Sequence, residues 1–181
     1  MNRLLFLFLF LCLALALAAC ASVARLKSGE QAIGDRLVLD FDGAWNQVGE
    51  RVWTREGLPI DQLRVFAGVR DGDPLGNEKA PVFRSALQPS EIARLLAESL
   101  TADGSVFTLL RLEPDRFAGG GYRFEYSLRR KLDNVKLAGV GYASVRRGTL
   151  FALVYTAPKL VFFERDRPAV ERMAQSARIK A

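Results

Sequence analysis

Apolar residues recur along this chain with two spacings, and these separate predicted strands from predicted helices. Between Leu37 and Phe41 every second residue is Leu or Phe, an alternation typical of a strand with one face toward a core. Similar alternation, or short runs rich in Val, Phe and Thr, predicts further strands at 51–54, 63–69, 105–112, 122–130, 135–145 and 149–156.

Two segments carry apolar residues every three or four positions, which is the helical spacing. The first helix is expected to begin at Pro89, a residue suited to the first helical position, and to end by Asp103-Gly104. Its apolar face consists of Ile92, Leu95, Leu96 and Leu100. The second helix is expected to open at Asp166 and Pro168, with an apolar face of Val170, Met173, Ala174 and Ala177.

The order of these elements predicts an α+β fold. A tight hairpin at Arg146-Arg147-Gly148 and other short connections favour a mainly antiparallel sheet, covered by the two amphipathic helices. We expect a single domain over 35–181. Residues 20–34 are small and polar with few apolar positions, and they are interpreted as a tether.

Two features of this order resemble the Mog1/PsbP-like domains. They are Val52-Trp53-Thr54, which leads into a hairpin, and the closing amphipathic helix. The resemblance implies an antiparallel sheet that lies between helices. It concerns the fold, and a fold of this kind does not by itself assign a function.

The first twenty residues have the parts of an export signal. Met1-Asn2-Arg3 is a basic leader, a continuous apolar run follows from Leu4 to Leu17, and small residues precede Cys20. Leu17-Ala18-Ala19-Cys20 resembles the lipobox of bacterial lipoproteins. The resemblance implies cleavage of a signal peptide at 1–19 and a diacylglycerol thioether, with further acyl chains such as palmitate, on Cys20.

No Asp follows Cys20 directly. In Gram-negative lipoproteins this pattern implies sorting to the outer membrane, with the domain facing the periplasm. Two alternatives stay open: an uncleaved transmembrane anchor, since about 20 apolar residues span a bilayer, and a cleaved signal with an unmodified Cys20. All three export the domain.

The composition removes much of the usual catalytic chemistry. The chain has no histidine, and its only cysteines are Cys12 and Cys20. A mature lipoprotein domain would therefore lack a free thiol, a disulfide and the common zinc and copper ligands. We expect no cofactor and no metal site, and we interpret the protein as a non-catalytic binding or structural module.

Positive charge prevails along the chain. The formal net charge is +6, and loss of Arg3 with the signal leaves about +5 because all twenty acids lie beyond it. An exported basic domain favours acidic lipid head groups or an envelope protein as partner rather than nucleic acid. Arg129-Arg130-Lys131 and Arg146-Arg147 are expected at opposite ends of the sheet, as solvated turn charges.

Three further motifs suggest sites. Asp40 and Asp42 have the Asp-x-Asp spacing of haloacid-dehalogenase-like phosphatases, so the alternative function is a Mg²⁺-dependent hydrolase; the competing interpretation is a strand that enters a turn at Gly43. Ala118-Gly119-Gly120-Gly121 has the composition of a phosphate cradle, but loops also favour it. Val161-Phe162-Phe163 is assigned to the core, with an exposed aromatic knob for a partner as the alternative, and Trp45 and Trp53 are also assigned to the core.

Overall fold

The computed structural model describes residues 24–26, 28–58, 60–101 and 103–180. Two α-helices lie in this part of the chain, α1 (Pro89–Leu100) and α2 (Glu164–Gln175). The strands are β1 (Ala24–Leu26), β2 (Gly29–Ile33), β3 (Leu37–Phe41), β4 (Trp45–Gly49), β5 (Val52–Thr54), β6 (Gln62–Arg70), β7 (Val106–Asp115), β8 (Gly121–Arg129), β9 (Lys136–Arg146), β10 (Thr149–Pro158) and β11 (Arg178–Ile179). A 3-10 turn at Phe117–Gly119 separates β7 from β8, and a π-helical turn at Lys159–Phe163 leads into α2.

Eight strands form a large sheet with the order β1-β4-β5-β6-β10-β9-β8-β7. Each neighbouring pair in it is antiparallel. The central strand β10 is buried from Thr149 to Ala157, because side chains on both faces of the sheet are covered. Its residues therefore read as a nearly continuous apolar run rather than as an alternation.

Each face of the large sheet carries its own hydrophobic core. On one face lie α2 and a small antiparallel sheet of order β11-β3-β2, and their core includes Trp45, Phe151 and Val170. On the other face α1 covers a second core that includes Phe124 and Ile92. The large sheet is thus a central layer between two apolar interfaces, which is a stable way to bury both faces.

Two glycines in β9 are required by this packing. A Cβ on Gly139 would overlap the ring of Tyr126, and a Cβ on Gly141 would overlap the ring of Phe124. These rings project from β8, directly opposite the two glycines in the strand register. The missing side chains let the rings lie flat on the sheet, under α1.

The predicted fold class is confirmed. The described chain is α+β, with antiparallel sheets and two helices in one domain. Helix α1 begins at Pro89 as expected, and it carries a capping box between Gln88 and Glu91 that the sequence reasoning did not identify. Its buried residues are Ile92, Ala93, Leu96 and Ala97. The buried face therefore includes two alanines in place of the predicted Leu95 and Leu100.

Three predictions about local structure were wrong. Residues 24–26 and 29–33, assigned to a tether, form β1 and β2 and pair with β4 and β3. Strand β4 at Trp45–Gly49 was not predicted, because its polar side chains obscure the alternation. Helix α2 begins at Glu164 rather than at Asp166, so Pro168 lies inside it.

The predicted signal peptide and Cys20 lie outside the described residues. Between residues 24 and 180, neither helix has the length and apolar content needed to cross a bilayer.

Candidate anion-binding cleft

A basic cleft lies at the end of the large sheet where β9 turns into β10. Three other segments meet the Arg146-Arg147-Gly148 turn there: the turn before β3, the 3-10 turn between β7 and β8, and the chain around β11. The cavity has a volume of about 1000 Å³. Its cationic lining residues are Arg36, Arg116, Arg146, Arg147, Arg178 and Lys180.

No acidic residue lines this cleft among the described residues. Arg178 forms an ion pair with Glu30, outside the cavity lining. The side chains of Arg116, Arg147 and Lys180 have no carboxylate within 4.0 Å in the part of the chain that the structure describes. Positive charge therefore converges on a concave surface where, in the described part of the chain, Arg178 alone is paired with a carboxylate, and such a surface attracts anions.

The floor of the cleft is apolar. Phe151 is buried at 1% exposure, and Val145, Ala177 and Ile179 lie around it. The guanidinium groups stand at the rim, on residues that are exposed to solvent. Guanidinium groups bind phosphate and carboxylate oxygens through paired N–H donors, so the arrangement suits an anionic group whose less polar part rests on the floor.

The glycine-rich turn lines the cleft but does not form a phosphate cradle. The N–H of Gly119 donates to the carbonyl of Arg116 at 3.1 Å, and the N–H of Gly120 donates to the carbonyl of Phe117 at 3.0 Å. These donors are occupied within the turn. Instead the carbonyl of Gly119 accepts a hydrogen bond from Arg146, so this segment positions an arginine of the cleft.

The two basic clusters lie at opposite ends of the sheet, as predicted. Arg129 is opposite Lys136 in the register, and Arg146 is opposite Thr149, at the other end of β9. Arg146 and Arg147 are exposed at their turn, as expected for solvated turn charges, and the fold brings distant cations beside them. Arg36, Arg116, Arg178 and Lys180 were missed, since no local motif connects them.

Asp40 and Asp42 do not form a phosphatase site. They lie on and just after β3, the central strand of the small antiparallel sheet, whereas that site needs parallel strands alternating with helices. The carboxylate of Asp42 accepts a hydrogen bond from Nε of Arg172 at 2.7 Å, and Asp40 is exposed. In the described part of the chain, no group of three or more His, Cys, Asp or Glu residues has the arrangement to hold a metal ion.

The turn at Gly43 has a structural role instead. Gly43 has a φ of 82°, and its missing side chain leaves room for the guanidinium of Arg55. Arg55 donates to the carbonyl of Asp42 and lies over the ring of Trp45 at 4.6 Å. The Asp42-Gly43 turn therefore binds the guanidinium group of Arg55 within the fold.

Arg55 belongs to a second cluster, built around a buried carboxylate. Asp166, at 0% exposure, accepts hydrogen bonds from Arg55 at 2.9 Å, from Arg165 at 2.8 and 2.9 Å, and from the hydroxyl of Tyr155 at 3.1 Å. Burial alone would raise the pKa of Asp166, but the hydrogen bonds and charges of Arg165 and Arg55 outweigh it and lower the pKa below its usual value. These arginines connect β5 and α2.

Several other side chains take structural positions. Tyr142 accepts a hydrogen bond from Arg123 at 3.3 Å, and the hydroxyl of Ser144 donates to the carbonyl of Gly120. Trp45 and Trp53 lie in the core as expected. The core assignment holds for Phe163 and in part for Phe162, but it was wrong for Val161, which is 61% exposed.

Comparison with known proteins identifies the fold and not the function. No protein-family model and no curated protein matches the sequence. Among solved structures, the chain has the PsbP-like α+β fold that the sequence resemblance implied. A similar structure is the solution structure of cyanobacterial PsbP (CyanoP) from Synechocystis, with a TM-score of 0.56 and 14% identity over 90% of this chain and 95% of that one.

Proposed function

We propose that this protein is a lipid-anchored envelope module that acts by binding an anionic group in its basic cleft. The anchor is the acylated Cys20, and the domain faces the periplasm from the outer membrane. The observation that carries the binding role is the convergence of six cationic side chains on a cavity of about 1000 Å³ whose described lining includes no acidic residue.

The anchoring part of the proposal is supported by the sequence. Leu17-Ala18-Ala19-Cys20 follows a basic leader and an apolar run at the spacing of a lipoprotein signal. One acyl chain holds a protein at a membrane only marginally, and two or more hold it stably. A fully acylated Cys20 would therefore keep the domain at the bilayer without any contribution from the cleft.

The binding part is supported by the chemistry of the cleft. Phosphate and carboxylate are the groups that arginine forks recognise best. Each unneutralised cation in the cleft raises the energy of its neighbours, and a bound anion relieves this repulsion. The anionic group is therefore expected to carry more than one negative charge, as a phosphate or pyrophosphate group does.

The binding part is tested with pyrophosphate as probe. A ligand that binds only the folded state raises the melting temperature as its concentration increases. We expect pyrophosphate, but not chloride at equal ionic strength, to raise the melting temperature of the full chain. The increase should disappear in the double variant Arg116→Gln/Arg147→Gln.

The matched control is Arg129→Gln/Lys131→Gln, which removes the same charge from the opposite end of the sheet. It should retain the pyrophosphate effect. If both double variants lose the effect equally, the probe senses net charge rather than the cleft, and the binding role is wrong.

The anchoring part is tested with Cys20→Ser expressed in a Gram-negative host. The unchanged chain should partition with membranes and carry acyl mass on its first mature residue, whereas Cys20→Ser should carry none and should not be processed at residue 20. An unacylated mature terminus in the unchanged chain would contradict the anchor.

A further inference from the structure

We propose that the end of the domain opposite the cleft docks on the surface of a lipid bilayer that contains anionic head groups. This apolar end consists of Leu58, Ile60, Val106, Leu132, Leu160 and Val161. The inference goes beyond the proposed function, which concerns the cleft. It depends on the lipid anchor only for bringing the bilayer close.

The strand register brings these residues to one end of the sheet. Gln62 opens β6 opposite Thr156, and Pro158 closes β10 opposite Leu137. Arg129 closes β8 opposite both Lys136 and Val106. The loops and turns next to these strand ends therefore lie side by side. At the usual strand spacing they extend over about 20 Å across the end of the sheet.

The side chains at this end are unusually exposed for their type. Leu160 is 91% exposed and Leu132 is 84% exposed, and each lies in a turn between elements. Single exposed apolar residues need no explanation, but a group of them on adjacent loops indicates an interaction surface. Large aliphatic side chains in turns also enter a bilayer interface easily, because the polar backbone behind them stays in the head-group layer.

Basic residues surround the apolar side chains. They are Arg129, Lys131, Lys136 and Lys159, and none has a carboxylate within 4.0 Å in the described part of the chain. The exposed acids at this end are Glu56, Asp103, Asp133 and Glu164; Asp133 forms an ion pair with Arg130, and Glu56 forms one with Arg165. Positive charge therefore prevails around an apolar centre. This combination complements a bilayer that carries anionic head groups.

The anchor position is compatible with docking at this end. Strand β1 begins at Ala24, which is opposite Gln47 and thus close to the level of Leu63 near the start of β6. Four chain steps separate Ala24 from Cys20, and they span at most about 14 Å. A bilayer that holds acyl chains on Cys20 lies within reach of the apolar end, and docking there would turn the basic cleft toward the periplasm.

The proposal is tested by the orientation of the full chain on vesicles. The variants Leu132→Cys at the apolar end and Asp35→Cys at the cleft end each give the processed, acylated chain one free thiol, which is labelled with an environment-sensitive fluorophore. The vesicles contain phosphatidylcholine and phosphatidylglycerol with a nitroxide-labelled lipid as quencher. We expect the label at residue 132 to shift to the blue and to be quenched, and the label at residue 35 to do neither.

Two variants separate apolar from electrostatic contact. Leu160→Asp/Val161→Asp should abolish quenching at residue 132, whereas the control Val82→Asp, an exposed apolar residue in a loop elsewhere, should leave it unchanged. Lys136→Gln and Lys159→Gln should each lower the docked-to-undocked ratio roughly five-fold on anionic vesicles. The effect of the lysine changes should vanish on vesicles of phosphatidylcholine alone.

Several results would overturn the docking proposal. Equal or stronger quenching at residue 35 would reverse the orientation, and quenching at residue 132 that survives Leu160→Asp/Val161→Asp would remove the apolar contact. A blue shift without lipid quenching that increases with protein concentration would instead identify a second copy of the chain as the occupant.

Mass spectrometry of the same samples distinguishes the failure of the anchor from the failure of docking. An acylated chain whose residue-132 label stays unquenched contradicts docking and leaves the proposed function intact. If Cys20 is unacylated, the anchor is wrong, and the apolar end must still bind added anionic vesicles by itself. Absence of that binding would overturn the docking proposal as well.

Discussion

Two groups of arginines in this molecule have opposite surroundings. Arg55 and Arg165 converge on Asp166, so a buried negative charge neutralises them and holds β5 against α2. Arg116 and Arg147 converge on the cleft with no carboxylate near them in the described chain. The fold accounts for the first group, whereas the second forms no ion pair within 4.0 Å in the described chain, and its surroundings support the proposed anion site.

The largest expected effect comes from removing the buried carboxylate. Asp166→Ala removes the carboxylate that accepts from Arg55 and from the hydroxyl of Tyr155, and Arg55 keeps the carbonyl of Asp42 as an acceptor. Loss of one partner of a buried ion pair typically costs about 3–5 kcal/mol. Because Arg165 is half-exposed and keeps Glu56 as a partner, we expect the low end of that range, measured as the free energy of unfolding in urea.

A matched control for this change is Asp40→Ala, which removes an exposed carboxylate from the same face of the fold. It should change the free energy of unfolding by less than about 0.5 kcal/mol. If Asp166→Ala is equally mild, the neutralised cluster contributes little to the fold, and the contrast between the two arginine groups fails.

The next effect is that of Arg55→Met, which keeps an unbranched side chain of shorter reach and removes the charge. Asp166 loses one donor, the carbonyl of Asp42 keeps only the hydrogen bond from Nε1 of Trp45 at 3.3 Å, and the contact with the ring of Trp45 becomes purely apolar. Hydrogen bonds to charged groups contribute about 1.5–3 kcal/mol. We expect a destabilisation of about 2 kcal/mol on that basis, with near-ultraviolet circular dichroism reporting the altered environment of Trp45.

Much of this fold could be predicted from the sequence, but the cleft could not. Alternation and turn residues identified strands such as 37–41 and 149–156, because each pattern is local. Residues 29–33 were assigned to a tether because their apolar content is low, and only pairing with β3 makes them a strand. The cleft combines Arg36, Arg116, Arg147 and Lys180, and nothing in a linear pattern shows that three turns and a chain end meet.

The interpretation of Asp42-Gly43 shows that a local motif can also suggest a function that the tertiary structure does not support. A local motif pointed to phosphate chemistry, but the tertiary structure uses the glycine to admit Arg55 and uses Asp42 to hold Arg172. Motifs of two or three residues are weak without their structural context. Here that context is an antiparallel strand, and it assigns the motif to packing.

Acid should weaken the domain through the neutralised cluster. The pKa of Asp166 is lowered in the folded state, because the arginine contacts outweigh burial. Its contribution to stability is therefore fully present above the pKa of about 3.9 in the unfolded chain and is lost as the pH falls through the lower folded value. The chain has no histidine, so we expect a flat urea midpoint from about pH 6 to 8 and a decline below about pH 4.

The variant Asp166→Asn tests the origin of that decline. Its urea midpoint should start lower at neutral pH and fall less steeply in acid, so that the two curves converge. Asp40→Asn should follow the unchanged chain throughout. Parallel curves for Asp166→Asn and the unchanged chain would mean that other carboxylates cause the acid sensitivity.

The smallest expected effect is that of the cleft arginines on stability, and it is the sharpest test of the contrast. Arg116 and Arg147 are exposed and contact no carboxylate within 4.0 Å in the described residues, so Arg116→Gln/Arg147→Gln removes repulsion rather than an interaction. We expect a free energy of unfolding within about 0.5 kcal/mol of the unchanged chain, or slightly above it at low salt. Arg129→Gln/Lys131→Gln serves as the control for lost charge. If the cleft variant is destabilised by an amount similar to Arg55→Met, these arginines support the fold, and the main reason to assign them a ligand disappears.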